Sequence, residues 1–193
     1  MPIETNEADA FIVVDVQNDF CPGGALPVKE GQKVVPIINK LMPRFDRVLF
    51  TRDWHPFDHI SFDDEPQFVD KSWPVHCVQD TPGAEFPAAL RTGLAAAIVS
   101  KGVDPDKEAY SGFEGTDLDS RLQRWGIRRI FIAGIATDYC VKHTTLDGRK
   151  LGYDVVVITD ACRAVNVPEG SGVAAFEAMK AVGAQLVVSK DFE

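Results

Sequence analysis

Residues 130–140, Ile130-Phe131-Ile132-Ala133-Gly134-Ile135-Ala136-Thr137-Asp138-Tyr139-Cys140, decide how this chain folds. The first four form an unbroken apolar run that reads as a short buried strand. Gly134 then opens a tight turn, and residues 138–151 contain no proline and carry helix-compatible apolar spacing. Strand, turn and helix in that order, with a cysteine in the helix's first turn, form one unit of an α/β fold. Amide groups at a helix N-terminus lack intrahelical partners and favour an anion. A thiol in that field is expected to ionise more easily, and the thiolate is the nucleophilic form. The same N–H groups suit an oxyanion on a substrate carbonyl. Taken alone, the cysteine reads first as a buried structural residue, the usual fate of a free one.

The flanking sequence repeats the pattern. Strands are predicted at residues 10–15, 47–51, 95–100, 154–159 and 185–189, from apolar, β-branched runs. Helices are predicted at 32–41 (despite Pro36), at 115–125 with Thr116 as N-cap and Gly126 as stop, and at 168–182 with proline at its start. Alternating strands and helices imply an α/β, three-layer, mostly parallel six-stranded sheet with helices on both faces. The 193 residues suit a single domain spanning 1–193. In such sheets ligands bind outside the carboxyl ends of the strands. Asp15, Asp53, Lys101 and Cys140 follow four different strands, and that coincidence outweighs the structural reading of the cysteine.

Composition excludes several classes. A net charge of −9 with no basic cluster argues against nucleic acid. No apolar run is long enough to span a bilayer and no secretory leader is evident, so no membrane partner is expected. The four cysteines (21, 77, 140, 162) form no C-x-x-C pair and no disulfide-dense pattern, which fits a cytoplasmic enzyme with reduced thiols. A homo-oligomer remains open.

Asp53 and His55 stand two apart in extended chain, so both point the same way. With His59 and His76 they make a ligand set suited to one divalent ion: zinc first, with iron or manganese as alternatives. His59 either ligates directly or holds a water on the metal. The rival explanation for these histidines is surface packing in a polar connection, residues 54–87, that has no sustained period. Asp15 could take the thiol proton of Cys140, with Lys101 holding the charges of both in place. His143 lies one turn further along the same helix, points away and reads as a packing residue. Phe20, Trp73 and Tyr110 come from different loops at the same sheet edge and could wall a slot for a flat ring.

Residues 15–26 (D-V-Q-N-D-F-C-P-G-G-A-L), 51–62 (T-R-D-W-H-P-F-D-H-I-S-F), 73–78 (W-P-V-H-C-V), 100–102 (S-K-G), 110–113 (Y-S-G-F) and 134–141 (G-I-A-T-D-Y-C-V) match one known family in order. The whole chain resembles the nicotinamidase/pyrazinamidase group of the isochorismatase-like cysteine hydrolases. The resemblance implies a triad of Asp15, Lys101 and Cys140, and metal ligation by Asp53, His55 and His76, with His59 a fourth ligand in some members only. It also implies a cis peptide before Ala136, and an oxyanion hole formed by the N–H groups of Ala136 and Cys140. Phe20 and Trp73 match the ring-stacking residues, while Tyr110 and Ala136 complete the substrate contacts. The implied reaction is hydrolysis of nicotinamide to nicotinate and ammonia through a cysteine thioester, pyrazinamide being cleaved as well, in the salvage of NAD. The connection 103–109 departs from the family pattern and bears on the pocket rim. Two alternatives stand beside this reading: a related cysteine amidase acting on a ureido or carbamoyl substrate, which would not need the Asp53/His55/His76 set, and a metal-binding module with an inert cysteine.

Overall fold

The computed structural model describes residues 2–68 and 72–193. Six strands form one sheet: β1 (Asp9–Val14), β2 (Val48–Asp53), β3 (Ala97–Lys101), β4 (Arg129–Ile135), β5 (Asp154–Arg163) and β6 (Gln185–Val187). Their order is β3-β2-β1-β4-β5-β6, and every pairing is parallel. The order reverses between β1 and β4, where crossovers leave toward opposite faces and open a crevice. Asp15, Asp53, Lys101 and Cys140 lie at the exits of the four strands around that switch point.

The central strands have no polar side because both faces are covered. All of β1 is buried. Phe11 and Val13 pack, with Phe50, Phe131 and Val156, against helix α1 (Val34–Leu41). Ala10, Ile12 and Val14 pack, with Leu49, Ile132 and Val157, on the other face. Helices α2 (Leu118–Arg124), α3 (Lys142–Lys150) and α4 (Ser171–Ala181) cover that side. In α1 the buried positions Val34, Val35, Ile38 and Leu41 follow the helical period, and Pro36 sits in the first turn, where its missing N–H has no intrahelical partner to lose. Helix α3 buries only Thr144, Thr145 and Gly148, so it lies close on the sheet; a Cβ on Gly148 would stand 2.8 Å from Ile130 Cδ1.

Several boundaries differ from the sequence reading. Strand β4 runs through Gly134 to Ile135 rather than turning at Gly134. The turn after it is a π-helical stretch, Thr137–Val141, closed by Val141 N–H donating to Ala136 O at 3.0 Å, and α3 follows. Strand β5 continues to Arg163, and its register against β4 slips between Ile132↔Val157 and Gly134↔Cys162, so extra residues bulge out. Asp117, not Thr116, is the N-cap of α2; Thr116 Oγ1 still accepts from Leu118 N–H at 3.2 Å. Helix α4 begins at Ser171, since Pro168 belongs to a connection whose Val167–Pro168 bond is cis. The last strand ends at Val187, where a short turn, Ser189–Phe192, takes over.

Gly134 leaves no room for a side chain. Its φ is +133°, and a Cβ there would lie 2.0 Å from Val14 O on the neighbouring strand. A side chain at this backbone conformation would strike the neighbouring strand just before Asp15. Gly134→Ala is therefore expected to destabilise the chain by about 3 kcal/mol or more, the range reached when backbone strain and overpacking combine. Chemical denaturation of the variant checks this, with a loss below about 1 kcal/mol counting against the close approach.

Candidate active site and metal-ligand cluster

Asp15 follows β1 with φ +47°, a left-handed conformation uncommon for a residue with a side chain. Its carboxylate is fully enclosed. Oδ1 accepts from Thr51 Oγ1 at 2.6 Å. Oδ2 lies 2.9 Å from Lys101 Nζ in a buried ion pair. Lys101 is paired with Asp53 in the β2–β3 register. From there its Nζ donates to Asp53 Oδ1 at 2.5 Å, to Ala109 O at 3.1 Å and to Cys140 Sγ at 3.5 Å. Cys140 sits in the Thr137–Val141 turn and is 5% exposed. The Ile135–Ala136 bond just before that turn is cis.

Burial pushes the Asp15 carboxyl above its ordinary value, against the pull of Lys101. It pushes the Cys140 thiol well above its ordinary value too, again with Lys101 opposing. The helix-end field expected to ease ionisation of Cys140 is thus overridden: a thiolate here would lose its water and face Asp15 and Asp53. The resting sulfur is a thiol, and it needs a base. Lys101 stays cationic, because Asp15 and Asp53 more than reverse the effect of burial.

Asp53, His55 and His76 bring one ligand atom each to within 4.8 Å of one another, all three buried. The His55 and His76 segments meet in a bridge: His55 N–H donates to Cys77 O at 3.0 Å and Gln79 N–H to His55 O at 2.8 Å. His55 Nδ1 donates to Gly102 O at 2.9 Å, and His76 Nδ1 to Pro74 O at 2.7 Å. Both rings therefore turn Nε2 toward the cluster, His55 Nε2 standing 3.7 Å from Asp53 Oδ2. Burial, with His55 nearby, brings His76 down to about 4, so its ring is neutral at pH 7. Burial would raise Asp53, but Lys101, His55 and His76 hold it below the usual carboxylate range. A buried anionic carboxylate with two imidazoles whose Nδ1 atoms are spent on carbonyls, leaving each Nε2 for a ligand, fits a divalent ion such as zinc. His59 packs on His55, with ring centroids 4.1 Å apart, but falls in a second set with His55 and Glu108 rather than with Asp53 and His76. Its Nδ1 meets Ser61 Oγ at 2.7 Å and its Nε2 donates to Lys107 O at 3.2 Å.

The two clusters are not independent, although their ligands and nucleophile come from different strands. Asp53 gives Oδ1 to Lys101 and faces His55 with Oδ2, and it lies within 4.8 Å of both Asp15 and Cys140. Gln17 fixes it there: Oε1 accepts from Asp53 N–H at 2.8 Å, while Nε2 donates to Asp53 O at 2.8 Å and to Ala84 O at 2.9 Å.

A cleft opens over Cys140. Phe20, Trp73, Tyr110 and Ala136 line it as expected, together with Leu26, Tyr139 and Val165, and with Asp53, His76 and Glu108 among them. Trp73 Nε1 donates to Tyr110 Oη at 3.0 Å, and Tyr139 packs edge-on to Trp73 with ring centroids 4.9 Å apart. His143 lies outside the cleft, half-buried, its ring centroid 5.4 Å from that of Tyr110. Tyr139 and Glu108 were missed by the sequence reading. Tyr139 was legible as the neighbour of the cysteine, whereas Glu108 lies in the connection 103–109, where no periodicity fixes direction. An enclosed acid–thiol–cation triad beside a metal-ready cluster and a flat aromatic cleft can attack and cleave a planar carboxylic derivative.

Residues 9–191 match an isochorismatase domain. A nicotinamidase of Escherichia coli is 40% identical, over 95% of this chain and 96% of that protein. A pyrazinamidase of Pyrococcus horikoshii solved in complex with zinc superposes with a TM-score of 0.84 at 46% identity, covering 94% of this chain and 99% of that one. The L. infantum protein PnC1, solved in complex with nicotinate, superposes with a TM-score of 0.89 at 34% identity, covering 99% and 98% of the two chains.

Proposed function

The chain belongs to the isochorismatase-domain family, and from that premise we propose that it hydrolyses nicotinamide to nicotinate and ammonia, and pyrazinamide likewise. It is an amidohydrolase of the nicotinamidase/pyrazinamidase group. The observation that carries the reading is the placement of Cys140 in a cleft lined by Phe20, Trp73, Tyr110 and Tyr139, with Lys101 and Asp15 within reach of its sulfur beneath. The Asp53/His55/His76 set favours it over a ureido or carbamoyl amidase, and the base beside the thiol over a module with an inert cysteine.

In this reading the substrate ring enters between the aromatic walls with its carboxamide over Cys140. Asp15, whose carboxylate lies within 4.8 Å of Cys140 Sγ, takes the thiol proton as sulfur attacks the amide carbon. Lys101 compensates the negative charge that passes between carboxylate and sulfur. The N–H groups of Ala136 and Cys140 receive the developing oxyanion. Asp15 returns the proton to the departing ammonia; it then takes a proton from water, whose oxygen attacks the thioester carbon, and gives that proton back to the departing sulfur of Cys140. Asp53, His55 and His76 would hold one divalent ion, zinc in the first place, which supplies a Lewis-acid contact for the ring nitrogen. The reading includes a cytoplasmic location, supported by four free cysteines; among the described residues no helix is long and apolar enough to cross a membrane. An ammonia-release assay on nicotinamide, with metal analysis of the same preparation, tests the proposal. A metal-loaded protein that releases no ammonia would end it.

Gly102 gives a separate test of the ligand cluster. Its φ is +61°, and a Cβ would stand 2.4 Å from His55 Cε1. Gly102→Ala is expected to drive the His55 ring off its carbonyl anchor and lower metal affinity about tenfold to a hundredfold, as loss of a ligand's orienting partner does. Competition with a chromogenic chelator measures this, and unchanged affinity would mean that His55 does not ligate.

A further inference from the structure

We propose that Asp138 is a positioning residue that fixes one wall of the ring cleft, and that the connection 164–170 is a specificity element hung from the nucleophile turn. The proposal rests on the amide-hydrolase reading for the identity of the substrate and adds to it a determinant of ring size.

Asp138 lies two residues before Cys140 and is 2% exposed. It does not line the cleft, and none of its contacts is with the reacting groups. Instead Oδ1 accepts from Val165 N–H at 3.0 Å, and Oδ2 accepts from Asn166 N–H at 2.8 Å and from the Ser171 hydroxyl at 2.6 Å. The next residue of the turn adds a further tie, since the Tyr139 hydroxyl donates to Val167 O at 3.3 Å. All the groups facing the carboxylate are donors. Only an acceptor-only side chain satisfies them together. The connection is also braced from within. Asn166 adopts φ +61°, and its Oδ1 accepts from Gly170 N–H at 3.0 Å.

The functional consequence comes through Val165, which lines the cleft beside Tyr139 and Cys140. Its backbone N–H is one of the donors held by Asp138. A single carboxylate therefore sets how far the Val165 wall stands from the sulfur. Loosening it should widen the cleft without touching the triad.

Asp138→Asn tests this, because an amide keeps one acceptor oxygen and turns an NH2 toward a group that also donates. Two readouts are needed. Amide exchange of residues 164–171 should rise about tenfold or more in the variant, with β1 and β4 unchanged. Discrimination between nicotinamide and 5-methylnicotinamide should relax about fivefold or more, mainly through KM. Val165→Ala should relax discrimination to the same side without raising exchange. Ser171→Ala, which removes one donor, should give smaller changes of the same kind and serves if Asp138→Asn does not fold. Unchanged exchange overturns the clamp. Equal loss of kcat/KM on both amides overturns the specificity role, because a general structural defect does not sort substrates by ring size. A parent chain that releases no ammonia from nicotinamide overturns the amide reading alone, and the exchange experiment still decides the clamp.

Discussion

Turnover of nicotinamide is expected to fall by about 10^4 or more when Cys140 is replaced by alanine, since removing a nucleophile that acts as a unit with its base leaves only binding and oxyanion contacts. The structure makes this a clean substitution. Cys140 is enclosed, and alanine would leave a one-atom gap worth about 1 kcal/mol. Lys101 would lose its weakest partner, the sulfur at 3.5 Å, and keep Asp53, Ala109 and Asp15. The donors Asp53, His55 and His76 are untouched, so metal content should match the parent. Ammonia release at saturating nicotinamide, metal per chain and a thermal melt check the three parts together. A variant that keeps its fold and metal and still works at more than about one-hundredth of the parent rate would exclude covalent catalysis by this sulfur.

The residues gathered at the candidate site were legible because each follows a strand. Asp15, Asp53, Lys101 and Cys140 follow four apolar runs, and a parallel sheet brings such ends to one edge whatever the details between them. What could not be read were the interactions that turn proximity into geometry. Gln17 looks like any polar residue at a strand exit, yet both ends of its amide grip the backbone of Asp53. That contact joins positions 36 residues apart and depends on the β1–β2 register, which no local pattern encodes.

The effect of burial was misjudged for a related reason. A cysteine in the first turn of a helix suggests an easily ionised thiol, but the field of a helix end is a surface-scale effect of about 0.3–1 kcal/mol. Enclosure among Asp15 and Asp53 is the larger influence, and sequence does not give enclosure. The extended β4 and the π-helical turn were hidden similarly. Gly134 reads as a turn former until it is seen to be required by the close passage of Val14 O.

Asp53 changes what metal removal means. The ligands and the nucleophile derive from separate strands, which suggests that one could be lost without disturbing the other. In the folded chain the same carboxylate serves Lys101 on one oxygen and the His55 side on the other. Removing its histidine partners leaves that carboxylate and Lys101 in place, whereas removing Asp53 itself strips Lys101 of its closest anion. Substitutions at His76 and at Asp53 are therefore not equivalent ways to empty the site.

Benzamide is expected to be a poorer substrate than nicotinamide by about 10^3-fold or more in kcat/KM, because a site built around a polar contact rejects an analogue lacking the partner far more strongly than an apolar pocket does. The two molecules have nearly the same outline, so Phe20, Trp73, Tyr110 and Tyr139 should admit both rings. They differ in one lone pair. The lining carries groups that can sense it: Asp53, His76 and Glu108 stand among aromatic and aliphatic residues, Phe20 with its ring centroid 5.6 Å from that of His76. In the proposed reading a ring nitrogen directed to those groups would meet an ion held by Asp53, His55 and His76, whereas a ring C–H would leave that contact unmade. The carboxamide would then sit less well defined over Cys140, and a displacement of an ångström there lowers the chemical step as well as binding. Specificity constants for both amides on metal-loaded protein measure the difference. Near-equal values would mean that those groups do not read the ring nitrogen, and the ion would then need another task, such as activating the hydrolytic water.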